Sequence, residues 1–281
     1  MKICDLYKNK KTVISFEIFP PKKDGDVDIV FNTIKDLATL NPSFVSVTFG
    51  AGGGRKGTDA TVNIVRHIKE KYNIESLAHL TCGGINKTNV VEIANDLKNK
   101  NIQNVLALRG DEITADGFLY AKDLIVELKK HSFCIGAAAY PEGHISCDNL
   151  KDDIVHLKQK QDSGADYFIT QLFFENDIFY RFLEKTDKAK ITKPISAGVM
   201  PLLSRAQISR MIFMCGASLP APIIKLINKY GDEGESLVKA GIEYAANQIQ
   251  DLHKNKVDGI HVYTMNKPFI AKSCMEKLNV K

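Results

Sequence analysis

The stretch VISFEIFPP (residues 13–21) decides the fold, because it joins a short apolar, partly β-branched run to one acidic residue, Glu17, and a proline stop. Runs of this kind are typical of strands buried on both faces. An amphipathic segment long enough for a helix follows at residues 26–40. Together the two segments predict one strand–helix unit of a parallel sheet.

The same unit recurs along the chain. Further strands are predicted at FVSVTF (44–49), LAHLTC (77–82), VLALRG (105–110), CIGAAAY (134–140), YFITQLFF (167–174), PISAGVM (194–200) and GIHVYTM (259–265). Helical patterns occupy residues 59–72, 88–100, 117–131, 149–163 and 178–189. The long interval before the last strand contains Pro220, Pro222 and Gly231, which predict an inserted helical pair there.

Polar residues stand at the carboxyl ends of six predicted strands. They are Glu17, Thr48, residues 79–81, residues 109–111, Tyr140 and Gln171. In a closed parallel barrel these ends surround one mouth, whereas an open doubly wound sheet would spread them along a crevice. We therefore predict an α/β fold, a single (β/α)8 TIM barrel with extra helices between strands 7 and 8, as one domain over residues 1–281.

Composition agrees with a soluble globular protein. The 281 residues suit a barrel of about 250 residues, and 44% hydrophobic with 25% charged residues allows a large core. The net charge of +5 comes from scattered lysines rather than one basic block, which favours a solvated surface over a nucleic-acid site. An anionic substrate or cofactor would also be attracted by this charge.

The six cysteines form no CxxC pair and no spacing typical of a zinc site or a disulfide framework. We expect reduced thiols and no metal. No apolar window approaches the roughly 18 residues of a membrane span, and the N-terminus lacks the apolar stretch of a signal peptide. The sequence thus predicts a soluble, cytoplasmic protein.

Seven motifs, in order, resemble the methylenetetrahydrofolate reductase family between residues 12 and 265. They are SFEIFPPK (15–22), VSVTFGAGGG (45–54), AHLTCGG (78–84), LALRGD (106–111), AAYPEGH (138–144), GADYFITQLFF (164–174) and PISAGVMP (194–201). The resemblance implies reduction of 5,10-methylenetetrahydrofolate to 5-methyltetrahydrofolate by a ping-pong reaction through non-covalent FAD. The protein's own task would then be to supply position, charge and a proton.

Three residues match positions that the resemblance assigns to folate chemistry. Glu17 matches the proton donor, and burial is expected to raise its pKa; the alternative is a strand-end pair with a lysine such as Lys22. Asp111 matches an aspartate near flavin and pterin, although it could instead cap a helix. Gln171 matches a pterin-binding glutamine, with a core glutamine satisfied by backbone as the alternative.

The resemblance also implies a set of cofactor-binding residues. They are Thr48, His79, Leu80, Thr81, Leu108, Arg109, Gly110, Asp111, Tyr140, His144, Asp153, His156 and Lys160. The last three share one helical face, which could grip a nucleotide or could simply be solvated charge. His156 and Gln159 depart from the family, which has an amide and a basic residue there.

Two further stretches depart from the family pattern. The cluster GAGGG (50–54) is richer in glycine than usual and lacks the G-x-G-x-x-G spacing of a dinucleotide fold. LLSRAQ (202–207) has Arg205 near the place where many members carry an aromatic residue that stacks on folate or nicotinamide. The stacking partner and the binding of the electron donor are therefore left open.

Several alternatives concern the reaction and its partners. The donor could be NADH, NADPH or a partner subunit with an iron–sulfur or zinc centre, and a homo-oligomer is expected by analogy only. A pterin-binding barrel that transfers a methyl group without redox chemistry and a non-catalytic folate-binding subunit are the rival functions. Because no C-terminal regulatory extension is seen, we expect the short bacterial form, without control by S-adenosylmethionine.

Overall fold

The computed structural model describes residues 1–21, 27–49, 54–83, 85–110 and 117–278. Three features singled out above, Lys22, Asp111 and most of the glycine cluster at residues 50–54, lie outside the described residues. The predictions that concern them stay predictions.

Eight parallel strands form a closed barrel in chain order. The strands are β1 (Val13–Ile18), β2 (Phe44–Val47), β3 (Glu75–Thr81), β4 (Asn104–Leu108), β5 (Cys134–Ala139), β6 (Tyr167–Thr170), β7 (Ile195–Val199) and β8 (Gly259–Tyr263). Pairing of β1 with both β2 and β8 closes the barrel, and Glu17 lies in register with Ser46 on one side and Tyr263 on the other. The predicted TIM barrel is confirmed.

Helices follow the strands and surround the barrel. They are α1 (Val27–Ala38), α2 (Gly54–Tyr72), α3 (Lys87–Asn99), α4 (Ala121–Lys129), α5 (Leu150–Asp162), α6 (Asn176–Lys188), α7 (Arg205–Cys215), α8 (Ala221–Tyr230), α9 (Glu235–Lys254) and α10 (Pro268–Glu276). The helices α7, α8 and α9 between β7 and β8 confirm the predicted insertion. Among the described helices, none is both long and apolar enough to cross a membrane.

Side chains alternate between the two faces of each strand, as the period of two requires. On β1, Ile14, Phe16 and Ile18 are buried in the layer between the barrel and the helices. Val13 belongs instead to a cluster inside the barrel, and Glu17 faces the cavity at its mouth. The strand residues that carry chemistry therefore share the inner face.

A 3-10 helix (Ile3–Asn9), which the sequence patterns did not predict, closes the amino end of the barrel. Ile3 is fully buried in the inner cluster with Phe44 and Tyr167. The Tyr7 hydroxyl lies 2.8 Å from Ser196 Oγ, within hydrogen-bond distance. Because this end is filled, the inner polar residues can be reached from the carboxyl end of the strands.

Close backbone packing at Gly198 gives Tyr263 its place across the mouth. A Cβ at Gly198 would collide with the Thr170 carbonyl oxygen and the Tyr263 ring. The Tyr263 hydroxyl donates to that carbonyl at 2.8 Å, and Gly198 N–H donates to Thr170 Oγ1 at 2.8 Å. A larger residue in β7 would push Tyr263 away from Glu17.

Candidate active site

Two adjoining cavities open at the carboxyl ends of the strands. The larger, about 890 Å³, lies over the barrel axis with Glu17 in its wall. The smaller, about 520 Å³, extends outward beside β4, β5 and α5. Both are lined by Leu108, Arg109, Ala138, Tyr140 and His144. Volumes of this size are typical of sites for small molecules and cofactors.

Glu17 is the centre of a polar cluster at the inner end of the larger cavity. Its side chain is 18% exposed, and its Oε2 lies 3.3 Å from His261 Nε2. The same oxygen lies 3.5 Å from Ser46 Oγ and 3.6 Å from His79 Nε2. With Glu17 these groups come from four consecutive strands, β8, β1, β2 and β3, so barrel closure itself assembles the cluster.

His261 is held from both ring nitrogens. It is fully buried, and its Nδ1 lies 2.8 Å from Ser15 Oγ. In the tautomer that carries the proton on Nε2, the imidazole donates to Glu17 while Nδ1 accepts from the Ser15 hydroxyl. The resulting chain, from Ser15 through His261 to Glu17, fixes the orientation of the carboxylate.

His79 is paired with a hydroxyl rather than with an ion. Its Nε2 lies 2.6 Å from Ser46 Oγ, and its side chain is only 5% exposed. Burial lowers the pKa of His79 to about 4, while the nearby Glu17 carboxylate acts in the opposite direction. His79 is therefore neutral at pH 7.

The expectation that burial raises the pKa of Glu17 is wrong for the protein without ligands. Burial does act to raise it, but the hydrogen bond with His261, the electrostatic interactions with the imidazoles of His79 and His261 and the hydrogen bond from Ser46 together lower the pKa below its ordinary value. Glu17 is thus a carboxylate at neutral pH. It needs a change in its surroundings before it can give up a proton.

Gln171 follows β6 and lines the larger cavity. Its Oε1 accepts from the N–H of Leu172 at 2.9 Å. The backbone thus satisfies the amide oxygen, as in the alternative reading of this residue. Within the described part of the chain no acceptor is paired with its NH2 group, which leaves two donors for a ligand.

Two cations in the cavity walls have room for an anion. Burial lowers the pKa of Lys160 to about 8, while Asp153 acts to raise it. The Lys160 Nζ donates to the Ala138 carbonyl at 2.8 Å and lies 5.2 Å from the centre of the Tyr140 ring. Arg109 Nε is buried without a hydrogen-bond partner among the described residues. Buried donors of this kind are costly unless a ligand pairs with them.

Aromatic and polar groups complete the smaller cavity. Tyr140 and His144 meet edge to face with ring centres 4.7 Å apart. Asp153 is buried, which raises its pKa against the opposing charges of Lys160, His144 and His156. The cavity therefore offers both aromatic rings and charged groups, as a nucleotide site would.

Of the described residues predicted for the site, all but Leu80 line these cavities. The Leu80 side chain is buried between the barrel and the helices, so only its main chain could contact a cofactor. Arg205 forms an ion pair of 3.1 Å with Asp232 at the surface and lines neither cavity. Near this stretch of the chain, Met200 and Met211 line the larger cavity.

Several residues at the site were missed. They are Ser15 and Ser46, His261 and Tyr263, and the cavity-lining Phe19, Phe49, Tyr120 and Cys147. Strand alternation could have found the pair on β8, because His261 and Tyr263 are two residues apart and so share the inner face. Nothing in the spacing indicates that His261 and Glu17 meet, since that depends on how the barrel closes.

A closed parallel barrel with a polar cluster around one carboxylate and a cation-lined cavity at its carboxyl mouth is typical of TIM-barrel enzymes. The profile of the family described as Methylenetetrahydrofolate reductase matches residues 2–279. The chain belongs to the methylenetetrahydrofolate reductase family. Its members are oxidoreductases that reduce methylenetetrahydrofolate to methyltetrahydrofolate, and membership implies dependence on a flavin.

Named relatives agree over nearly the whole chain. 5,10-Methylenetetrahydrofolate reductase of Escherichia coli is 33% identical over 271 residues, covering 95% of this chain and 91% of that protein. Methylenetetrahydrofolate reductase (NADH) 1 of Arabidopsis thaliana is 31% identical over 290 residues, covering 95% of this chain and 49% of that protein. The chain thus spans about half the length of the plant and fission-yeast relatives it matches.

A solved structure shares the fold. A protein from Clostridium thermocellum, described as binding two copies of 5-methyl-5,6,7,8-tetrahydrofolic acid, superposes with a TM-score of 0.71 at 16% identity. The match covers 98% of this chain and 99% of the other. At this identity the likeness supports the barrel architecture alone.

We expect the His79→Gln variant to lose less stability than the parent when the pH falls from 7 to 4. The unfolded chain protonates His79 below about pH 6.5, whereas the folded protein keeps it neutral down to about pH 4. The unfolded state thus binds more protons in this window, and the free energy of unfolding falls as the pH falls, by about 3 kcal/mol. Urea denaturation between pH 7 and 4 measures this.

His131→Gln, in the turn after α4, is the matched control and should keep the slope of the parent. Parallel stability curves for the parent and His79→Gln would show that His79 is not held neutral by the fold.

Proposed function

We propose that this chain, as one catalytic domain, reduces 5,10-methylenetetrahydrofolate to 5-methyltetrahydrofolate with FAD as its cofactor. The observation that carries the proposal is the Glu17 carboxylate, held at the inner end of an open cavity by His261 and Ser46. Family membership supplies the reaction. The cavity supplies a place where a flavin ring and a pterin could meet one acidic group.

The cavity walls fit a flavin dinucleotide. Its ring would lie in the larger cavity against Thr48, Thr81 and Gly110, where small residues allow close approach of the backbone. Its diphosphate and adenosine would use Arg109, Tyr140, His144, Asp153, His156 and Lys160, which line the smaller cavity. The need for two connected cavities favours FAD over a mononucleotide. When bound, FAD supplies the hydride that reduces folate.

Lys160 is the residue that we assign most directly to the cofactor's phosphates. Burial lowers its pKa to about 8, so an adjacent anion would restore the full charge of the ammonium and gain a charge-assisted hydrogen bond. Tyr140 beside it offers a face for stacking. His156 replaces the amide of the family and is exposed, so its contact would be peripheral.

Glu17 is the proton donor in this proposal. The one-carbon bridge of the substrate opens when one of its nitrogens is protonated, and the carboxyl group would provide that proton from Oε2. A pterin in the cavity would cover the exposed part of Glu17 and remove water from it. That desolvation would raise its pKa from the low value of the free protein, so the acid would form when substrate is present.

His261 and Gln171 position the reacting groups. His261 would keep Glu17 Oε2 in place by donating a hydrogen bond from Nε2, with Ser15 holding that tautomer. The proton that Glu17 gives up would be replaced from solvent after the product leaves. Gln171 would donate from its NH2 group to a pterin acceptor, since its oxygen is already bonded to Leu172 N–H. Asp111, assigned to the pterin edge by resemblance, keeps that proposed role.

The electron donor is NADH or NADPH, or a redox partner subunit, that reaches the same cavity. The Arabidopsis relative carries NADH in its name, which makes NADH the first donor to test. A homo-oligomer and a cytoplasmic location are further expectations of the proposal.

Glu17→Gln should separate the two half-reactions. Gln is nearly isosteric but cannot donate an acidic proton, so we expect flavin reduction by the nucleotide to stay within about threefold while folate reduction falls about 10² to 10⁴-fold. Stopped-flow absorbance under anaerobic conditions measures each half-reaction. Glu70→Gln, on the exposed face of α2, is the control.

Equal loss of both half-reactions in Glu17→Gln would remove Glu17 from the acid role. Full retention of folate reduction would do the same.

Replacing His261 should shift the pH profile of folate reduction and leave that of flavin reduction by the nucleotide unchanged. His261→Leu removes the donor that lowers the pKa of Glu17. The pKa of Glu17 should therefore rise by about one unit, which corresponds to the loss of one charged hydrogen bond. His261→Gln keeps an N–H donor and should shift the profile less. If both variants keep the parent's profile, His261 does not control Glu17.

Lys160→Met should weaken FAD binding about 10 to 100-fold, the loss expected for one charge-assisted hydrogen bond. Lys158→Met, two residues away on α5 and paired with Asp162, should leave the affinity unchanged. Fluorescence titration of the flavin-free protein with FAD measures both. Equal affinities for the two variants would place the phosphates elsewhere.

A further inference from the structure

The rim of the smaller cavity holds a group of potential metal ligands that the proposed reaction does not use as a unit. Cys147, Asp153 and His156 each offer one ligand atom, and these atoms lie within 4.8 Å of one another. Their spacing, Cys-x5-Asp-x2-His, matches no common zinc motif. The cluster is formed by the fold, because the chain turns into α5 between Cys147 and Asp153.

Local structure fixes two of the three ligands close together. Asn149 caps α5, and its side chain accepts from Asp152 N–H at 3.0 Å. This cap sets the turn that brings the Cys147 thiol back over the first turns of the helix, where it donates to the Asn149 carbonyl at 3.3 Å. Asp153 and His156 then share a helix face because they are three residues apart.

The donor set suits a borderline-soft divalent cation. A thiolate, an imidazole and a carboxylate are the ligands that zinc takes in proteins, at about 2.0 to 2.3 Å each, which leaves the fourth tetrahedral position for water. Ligand atoms around such an ion are separated by roughly 3.3 to 3.8 Å. The present cluster needs to close by about an ångström, and the exposed His156 side chain is free to do so.

Charges of both signs surround the cluster. Asp148 and Asp152 are exposed near the start of α5, and the charge of Lys160 acts on the buried Asp153 carboxylate. Asp153 is only 6% exposed, and no described lysine or arginine lies within ion-pair distance of it. A bound metal ion would place a positive charge in direct contact with this carboxylate.

We propose that Cys147, Asp153 and His156 form a binding site for one Zn²⁺ ion at the rim of the smaller cavity. The Cys147 thiol releases its proton to solvent as the S–Zn bond forms, and no oxidation or reduction is involved. Asp153 also lines the cavity assigned to the cofactor's nucleotide end. If FAD binds there as proposed above, zinc and FAD compete for Asp153.

Metal analysis after equilibrium dialysis tests the site without any use of activity. The full chain, reduced and stripped of metal with a chelator, should take up one Zn²⁺ per chain, and Cys147→Ser and His156→Ala should each lose it. The controls Cys215→Ser and His131→Ala change residues of the same types outside the cluster and should bind as the parent does. Equal uptake by all five proteins, or none by the parent, overturns the proposal.

Cobalt identifies the ligand directly. Co²⁺ in the site should produce a thiolate-to-cobalt charge-transfer band that is absent in Cys147→Ser; a parent spectrum without that band overturns the assignment of Cys147. Both experiments use flavin-free protein and free metal ions. Zinc uptake can therefore succeed when FAD-dependent folate reduction fails, and the reverse, so that the two proposals are tested separately.

Discussion

The contact between His261 Nε2 and Glu17 Oε2, at 3.3 Å, is the interaction on which the proposed chemistry depends. It joins β8 to β1 where the barrel closes, so folding and assembly of the acidic cluster are one event. An ionised carboxylate this well buried would be expensive without donors. The Ser46 hydroxyl donates to the carboxylate and the Ser15 hydroxyl pairs with His261 Nδ1. The 3-10 helix fills the amino end of the barrel.

Strand alternation explains why the barrel and much of its mouth could be predicted from sequence. Residues that end parallel strands meet at one rim, so Glu17, Thr48, Tyr140 and Gln171 were correctly predicted to converge. The pKa of Glu17 could not be predicted, because it depends on the opposing effects of burial and of hydrogen bonds from other strands. A sequence shows that the carboxylate is inside but does not show its donors.

In the proposed function, the larger cavity takes the substrate and the flavin ring, and the smaller cavity takes the nucleotide end of the cofactor. The larger cavity offers one carboxylate, a neutral imidazole and an amide whose NH2 group has no partner among the described residues. These groups suit the polar edge of a pterin. The smaller cavity has cations, which suit phosphates, and an aromatic pair, which suits a nucleotide base. His156 and Cys147 lie at the rim of the smaller cavity, where the cluster of potential metal ligands is found.

The most direct test of the account follows the flavin itself through one turnover. The purified protein should show oxidised flavin absorbance that NADH or dithionite bleaches under anaerobic conditions, and 5,10-methylenetetrahydrofolate should then restore it while one equivalent of 5-methyltetrahydrofolate forms. A colourless protein that gains no absorbance from added FAD, or a reduced flavin that the folate does not reoxidise, would contradict it.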